Sequence, residues 1–220
     1  MNVVRVWDLP TRLFHWCLVA CVVGLVITGE VAGDAMVWHF RMGYAVLSLL
    51  AFRLVWGVIG GRWSRFATFV KGPATIMQYL KGGAAPEHSV GHNPMGALSV
   101  LGLLFFALLQ VGAGLFSDDE IASSGPLAKM VSGDWVSLAT TYHTQVGKVI
   151  LIVLVLLHVG AIVFYRLHKG ENLVSPMLHG DKDLPQAFPP SRDDAVSRTV
   201  GVMVFAVCAL AVAWLVKWAG

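Results

Sequence analysis

The sequence has little charge. Only 13% of its 220 residues are Asp, Glu, Lys or Arg, while 56% are hydrophobic. Soluble domains usually have about a quarter of their residues charged and under half apolar, so this composition excludes a soluble globular enzyme and a disordered protein. The formal net charge of +3 is too small to indicate a nucleic-acid partner.

Cysteine is also scarce. The three cysteines, Cys17, Cys21 and Cys208, are odd in number and lie inside apolar runs, so they predict no disulfide framework. The sequence contains no Cys-x-x-Cys-His motif, which is the motif that attaches c-type haem covalently. Any haem in this chain would therefore be held by metal ligation and packing alone.

Long apolar segments make up much of the sequence. A helix that crosses a bilayer needs about 20 mostly apolar residues, and five runs satisfy this length. Although the first run begins near the N-terminus, Trp7, His15 and Trp16 are atypical of a cleaved signal peptide, and we interpret it as a retained span. The predicted spans cover about residues 13–28, 36–59, 95–116, 142–167 and 199–218.

The few charged residues are distributed unevenly between the loops. Lys and Arg are concentrated before the first span and in the connections at about residues 60–94 and 167–198. The connection at about 117–141 is acidic and contains Asp118, Asp119 and Glu120. Because basic loops face the cytoplasm, we predict a cytoplasmic N-terminus and a C-terminus on the outer side.

Four of the eight histidines fall within the predicted spans at two depths. His15 and His158 lie near the inner side, whereas His39 and His143 lie near the outer side. His143 and His158 are 15 residues apart on one predicted helix, which corresponds to roughly 22 Å along its axis and a net rotation of about 60°. Both histidines therefore project broadly toward the same side of that helix.

The matched depths predict two haems with bis-histidine ligation. Ionisable groups inside a membrane are rare unless they are functional, and one haem between His15 and His158 with a second between His39 and His143 explains all four positions. A single histidine in a helix is more often a satisfied core or interfacial group. A proton relay or a bare metal site also remains open for these four residues.

Four further polar residues are candidates for contact with a cofactor. Arg53 lies inside the second span, and Arg41 and Lys148 lie near the outer pair. His92 precedes the third span. Cations at these places can hold haem propionates, and we favour a haem or quinone role for Arg53. His92 is near enough to the predicted membrane to contact a haem propionate or a quinone. The alternative is that the cations snorkel to lipid headgroups and that His92 is an interfacial group.

Five sequence motifs resemble the bacterial cytochrome b561 family, which includes the cytochrome b subunits of nickel-iron hydrogenases. The first motif, which surrounds His15, is the most specific. The motifs are RVWDLPTRLFHW at residues 5–16, HFRMGY at 39–44, FRLVWG at 52–57, GHNPMGA at 91–97 and ENLVSPM at 171–177.

The resemblance implies an all-α fold in the bacterial inner membrane. It implies a four-helix bundle that binds two b-type haems through His15, His39, His143 and His158, at residues 1–182. Residues 183–220 would then form a cytoplasmic linker and an extra C-terminal transmembrane helix, which could serve a partner or a homodimer contact.

Three functions are consistent with the resemblance. The leading hypothesis is a relay that carries electrons between membrane ubiquinone or menaquinone and a periplasmic donor or acceptor, such as a cytochrome c. The second is a superoxide:quinone oxidoreductase that acts at the outer haem. The third is a membrane anchor and electron-transfer subunit of a dehydrogenase or hydrogenase. No nucleic-acid partner is expected.

Overall fold

Long apolar helices form most of the protein. The structure is a computed structural model, and it describes residues 2–83, 85–121 and 123–219. Five of its helices are long and apolar enough to cross a membrane, which confirms the five predicted spans. These helical stretches are α1 (Leu9–Val31), α2 (Met36–Ile59), α5 (Pro94–Phe116), α6 with α7 (Gly133–His168) and α9 (Ala195–Ala219).

The fourth membrane-crossing stretch is longer than predicted. It begins at α6 (Gly133–Thr141), continues through a π-helical turn (Tyr142–Gly147) and ends with α7 (Lys148–His168). The prediction began at Tyr142 because the residues before it mix small, polar and aromatic side chains. The acidic connection before this helix is therefore shorter than predicted.

Three short α-helices lie in the described parts of the connections. They are α3 (Phe66–Phe69), α4 (Pro73–Leu80) and α8 (Val174–His179). α4 lies in the connection between α2 and α5. Pro73 occupies its first position, where a missing N–H costs nothing and the fixed φ favours helix.

A two-stranded β-sheet accompanies the helices of the predicted all-α fold. β1 (Asn2–Arg5) pairs with β2 (Asp181–Leu184) in antiparallel register, with Val3 opposite Asp183 and Val4 opposite Lys182. Four-residue strands are too short for an alternating pattern to identify them in a sequence, and the two segments are far apart along the chain. Val4 and Leu184 are buried there with Val6, Trp7 and Trp63.

Chain contacts divide the molecule into two compact units. The first contains the chain up to His15, Phe52–Gly102 and Leu156–Val204. The second contains Trp16–Ala51, Leu103–Val155 and the chain from Phe205 onward. The predicted division into residues 1–182 and 183–220 has its boundary inside β2 and stays a prediction. Residues 1 and 220, at the ends of these predicted domains, lie outside the described part of the chain.

A buried carboxylate fixes the beginning of α1 in the first unit. Asp8 is fully buried, and its Oδ1 accepts hydrogen bonds from the Thr11 amide at 2.8 Å and from Trp56 Nε1 at 3.0 Å. Its Oδ2 accepts a hydrogen bond from Ser64 Oγ at 2.8 Å. Asp8 thus caps α1 and also attaches it to α2, which orients the helix that carries His15.

A second carboxylate joins β1, α1 and the start of α9. The Asp193 side chain is only 5% exposed, and Arg5 and Arg198 each place a guanidinium nitrogen 3.1 Å from it. The Leu9 amide donates to Asp193 Oδ1 at 3.0 Å. Burial by itself raises the pKa of Asp193, but the hydrogen bonds from Arg198 and Leu9 and the charge of Arg5 outweigh it and lower the pKa.

We therefore predict that Asp193→Asn destabilises the protein. Loss of the charged acceptor should lower the free energy of unfolding by about 1–3 kcal/mol at neutral pH. Since the folded-state pKa is lowered, the contribution of Asp193 is present above the unfolded value of about 3.9 and is lost as the pH falls toward the folded value. Thermal unfolding in detergent between pH 3 and pH 7 measures both effects.

Asp183→Asn is the matched control, because Asp183 is exposed on β2. An exposed substitution of this kind should change stability by no more than about 0.5 kcal/mol. Equal stability of Asp193→Asn and Asp183→Asn at pH 7 would contradict the role assigned to Asp193.

Candidate functional site

The second unit brings His39 and His143 together. Their ring centroids are 6.0 Å apart and their planes are nearly perpendicular, at 85°. His39 lies in the first turns of α2, and His143 lies in the π-helical turn before α7. The matched depths of the two residues predict this pair, and the structure places their rings close together.

Backbone carbonyls orient both rings. His143 Nδ1 lies 2.8 Å from the Gln110 carbonyl oxygen, and His39 Nδ1 lies 3.1 Å from the Leu25 carbonyl oxygen. A carbonyl can only accept, so each Nδ1 carries the proton and donates it. Each ring is therefore in the tautomer whose Nε2 keeps its lone pair. A histidine that ligates a metal through Nε2 and donates a hydrogen bond from Nδ1 has this tautomer.

Glycines make room for both imidazoles. A Cβ added at Gly114 would lie 2.8 Å from His143 Cε1, and one added at Gly29 would lie 3.2 Å from His39 Cε1. The first distance is too short for any real side chain, so α5 can approach the His143 ring only because residue 114 has no side chain. Sequence reasoning did not identify these two glycines, since glycine is common at contacts between membrane helices.

The π-helical turn changes the direction of the side chains near His143. Such turns are rare and often occur at functional sites. Gln110 Nε2 donates to the His143 carbonyl oxygen at 2.8 Å, which satisfies one carbonyl where the regular helical bonding changes. Gln110 therefore holds both the ring and the backbone of His143.

The geometry of His39 and His143 fits a haem iron. Metal–nitrogen bonds are about 2 Å long, so two imidazoles whose centroids are 6.0 Å apart would be able to hold one iron between them. The two proton-bearing Nδ1 atoms point to carbonyls, which leaves both Nε2 atoms for the metal.

The first unit contains His15 and His158. Both are partly buried, and they lie near enough for their charges to interact. His15 lies on α1 two turns after the Asp8 cap, and His158 lies near the middle of α7. The two histidines that the sequence pairs at the inner depth thus belong to the same compact unit.

His92 and Arg53 also belong to the first unit. The His92 ring lies 4.7 Å from both the Trp7 and the Phe69 rings. Arg53 is only 3% exposed, and its guanidinium lies 4.8 Å from the centroid of the Phe66 ring. Burial lowers the pKa of His92 to about 3, and the nearby charge of Arg53 adds to this effect, so His92 is neutral at physiological pH.

Asn93 fixes the backbone beside His92. Its Oδ1 accepts a hydrogen bond from the Gly96 amide at 2.7 Å and so caps α5. Its Nδ2 donates to the Tyr165 hydroxyl at 2.9 Å, and that hydroxyl lies 2.7 Å from the hydroxyl of Tyr79. This chain of contacts connects α4 and α7 to the residue that follows His92.

The structure gives the two remaining predicted cations other partners in the second unit. Lys148 Nζ lies 2.9 Å from Glu30 Oε1, and both side chains are exposed. The Arg41 guanidinium lies 5.0 Å from the centroid of the Trp38 ring. Their predicted contact with a cofactor stays a prediction.

The fold and the site together define the class of the protein. Long apolar helices carry histidines in pairs, and the rings of one pair lie 6.0 Å apart with each Nδ1 bonded to a backbone carbonyl. These are the features of a multi-pass membrane cytochrome of the b type, whose role is electron transfer.

The chain belongs to the prokaryotic cytochrome b561 family. The model of this family matches residues 6–180, which contain all four predicted haem ligands, and it confirms the resemblance that the sequence motifs indicate. No solved structure matches the chain.

Several curated relatives are similar to the chain. The probable Ni/Fe-hydrogenase 1 B-type cytochrome subunit of Escherichia coli (strain K12) is 26% identical over 143 residues, which cover 51% of this chain and 60% of that protein. The probable Ni/Fe-hydrogenase B-type cytochrome subunit of Azotobacter chroococcum is 27% identical over 80% of this chain and 87% of its own length. The corresponding protein of Bradyrhizobium diazoefficiens is 25% identical over 81% and 85%.

The close approach of α5 predicts the effect of one substitution. Gly114→Ala should displace the His143 ring, because the added Cβ has no room beside it. We expect the purified variant to retain less haem than the wild type or to show an altered haem spectrum. Haem quantitation and a reduced-minus-oxidised spectrum measure this loss.

Gly112→Ala is the control, since nothing lies within 4 Å of a Cβ added at Gly112. Two residues along a helix correspond to a rotation of about 200°, so Gly112 and Gly114 face nearly opposite ways. If the two variants retain haem equally, the ring contact of Gly114 has no role in haem binding.

Proposed function

We propose that four histidines ligate two b-type haems in this chain. His15 and His158 would hold one haem, and His39 and His143 would hold the other. The observation that carries the proposal is the 6.0 Å separation of the His39 and His143 rings, with each Nδ1 bonded to a backbone carbonyl. The four-helix core at residues 1–182 would bind both haems, and the helix at the C-terminus would be additional to it.

The histidines would hold iron in a form suited to electron transfer. Haem iron with both axial positions occupied by protein exchanges electrons and leaves no open position for oxygen chemistry. The Leu25 and Gln110 carbonyls fix the ring orientation before a metal binds. Ligands that are oriented in advance need little rearrangement when the charge of the metal changes.

We infer that the chain relays electrons between the quinone pool and a redox partner on the outer side of the bacterial inner membrane. The uneven distribution of Lys and Arg supports a cytoplasmic N-terminus and a periplasmic C-terminus. Ubiquinone or menaquinone would be the membrane substrate. A cytochrome c is one candidate partner, and the acidic residues Asp118, Asp119 and Glu120 are suited to a basic protein of that kind.

A hydrogenase is the second candidate partner. The relatives from three genera carry names that associate them with Ni/Fe-hydrogenases, and two of them align with about 80% of this chain. In that case the chain would anchor the hydrogenase and accept its electrons. Superoxide oxidation at the outer haem is less favoured, because an anionic substrate needs positive charge near that haem and Glu30 balances the charge of Lys148 there.

Substitution of single histidines tests the ligation. We predict two b haems per wild-type chain, and we expect each His→Ala variant at positions 15, 39, 143 and 158 to lose one of them. His15→Ala and His158→Ala should lose the same haem, and His39→Ala and His143→Ala should lose the other. Potentiometric titration of the reduced-minus-oxidised spectrum identifies which haem remains.

His168→Ala is the matched control on α7, because its exposed ring stacks on Phe164 ten residues beyond His158. This variant should retain both haems. Loss of haems in any other grouping would reject the pairing, and a wild-type chain with a single haem would reject the proposal of two.

Two electron donors distinguish the proposed partners. We predict that a quinol reduces both haems of the purified protein in detergent, because the quinone pool is the proposed membrane substrate. In native membranes, hydrogen gas should reduce the haems only if a hydrogenase delivers electrons to this chain. Reduction by quinol without reduction by hydrogen would exclude the hydrogenase, and no reduction by quinol would contradict the quinone link.

A further inference from the structure

A buried cation in the first unit has an incomplete set of partners. Arg53 lies within α2 and is 3% exposed. Its Nη1 atom is buried and has no hydrogen-bond partner in the described part of the chain. A guanidinium stays charged at any physiological pH, and a buried charge without a direct partner is strongly unfavourable. The position of Arg53 is therefore suited to a ligand that accepts hydrogen bonds.

The nearby carboxylate does not fill this role. The charge of Asp8 acts on Arg53, but both Asp8 oxygens already accept hydrogen bonds. The Thr11 amide and Trp56 Nε1 donate to Oδ1, and Ser64 Oγ donates to Oδ2. Asp8 thus lowers the cost of the buried charge from a distance and leaves Nη1 of Arg53 available.

His92 provides a second unsatisfied nitrogen in the same unit. Its Nδ1 atom is buried and has no hydrogen-bond partner among the described residues, and it lies within electrostatic reach of Arg53, His15 and His158. The Phe69 ring contacts both groups, since its centroid is 6.0 Å from the Arg53 guanidinium and 4.7 Å from the His92 ring. Two potential donors therefore contact the same aromatic ring, and His92 lies within electrostatic reach of the proposed haem ligands.

We propose that Arg53 and His92 bind the propionate carboxylate of the haem held by His15 and His158. A carboxylate would place a negative charge in direct contact with the Arg53 guanidinium. Its oxygens would also accept hydrogen bonds from Arg53 Nη1 and from an N–H of His92. The aromatic side chains Trp7, Phe66 and Phe69 limit the access of water, which strengthens these hydrogen bonds.

A carboxylate fits this site better than a quinone does. The carbonyl oxygen of a quinone would accept a hydrogen bond but would leave the guanidinium charge without a directly bonded anion. This inference rests on the proposed function, because it requires a haem between His15 and His158. The inference goes beyond histidine ligation of the iron, because contacts with the propionate would also fix the orientation of this haem.

Infrared difference spectroscopy of the complete protein tests the proposal. Haem labelled with ¹³C in its propionate carboxyl groups, produced from labelled precursor, identifies the carboxylate bands that change on reduction. In Arg53→Leu we expect a shift of the bands of one haem and a lower midpoint potential for that haem, because loss of a nearby positive charge disfavours the reduced form. The other haem should be unchanged.

Two further variants keep the test decisive if Arg53→Leu does not fold. Arg53→Lys retains the charge but not the planar pair of donors, so its band shift should be smaller than that of Arg53→Leu. His92→Phe retains a ring between Trp7 and Phe69 but cannot donate, and it should shift the same bands. Arg166→Leu, which removes an exposed guanidinium from α7, should shift none.

The outcomes separate the two proposals. If wild-type protein lacks two bis-histidine haems, the proposed function fails before any variant is measured. If wild-type protein has both haems and the carboxylate bands are the same in Arg53→Leu, Arg53→Lys and wild type, only the propionate site is rejected. Weaker quinol binding in those variants with unchanged carboxylate bands would instead assign the site to quinone.

Discussion

An imidazole among membrane-spanning helices needs a partner for each of its nitrogens, because the surrounding lipid offers none. In His39 and His143 one nitrogen is satisfied by a backbone carbonyl of a neighbouring helix, and this contact decides which nitrogen remains for a metal. The glycines beside the two rings and the π-helical turn at His143 follow from the same requirement. They let the helices approach until the carbonyls of Leu25 and Gln110 are within hydrogen-bond distance.

The buried charges of the first unit are of two kinds. Asp8 and Asp193 are surrounded by donors from their own chain, so their role is to join helices and strands. Arg53 is buried as deeply, but its Nη1 atom has no such partner in the part of the chain that the structure describes. A charge satisfied by the protein stabilises the fold, whereas a charge that is not satisfied indicates a place where a ligand completes the structure.

The sequence predicts the spans well because apolar length is a property of single segments. It also predicts which histidines share a depth, and the structure brings His39 and His143 into contact distance. The partners of these rings could not be predicted, since a backbone carbonyl at Leu25 or Gln110 has no signature in residue type. The β-sheet was missed for a related reason: strands of four residues at opposite ends of the chain pair through backbone atoms and leave too short a pattern of side chains.

Electron paramagnetic resonance of the oxidised protein at low temperature tests the central claim most directly, because it reports the axial ligands and their mutual orientation. The account predicts two low-spin ferric signals per chain. One of them, absent in His39→Ala and in His143→Ala, should be strongly anisotropic, as expected for imidazole planes near the 85° observed for this pair. A single low-spin signal, or a high-spin signal from an iron that lacks one axial histidine, would contradict the account.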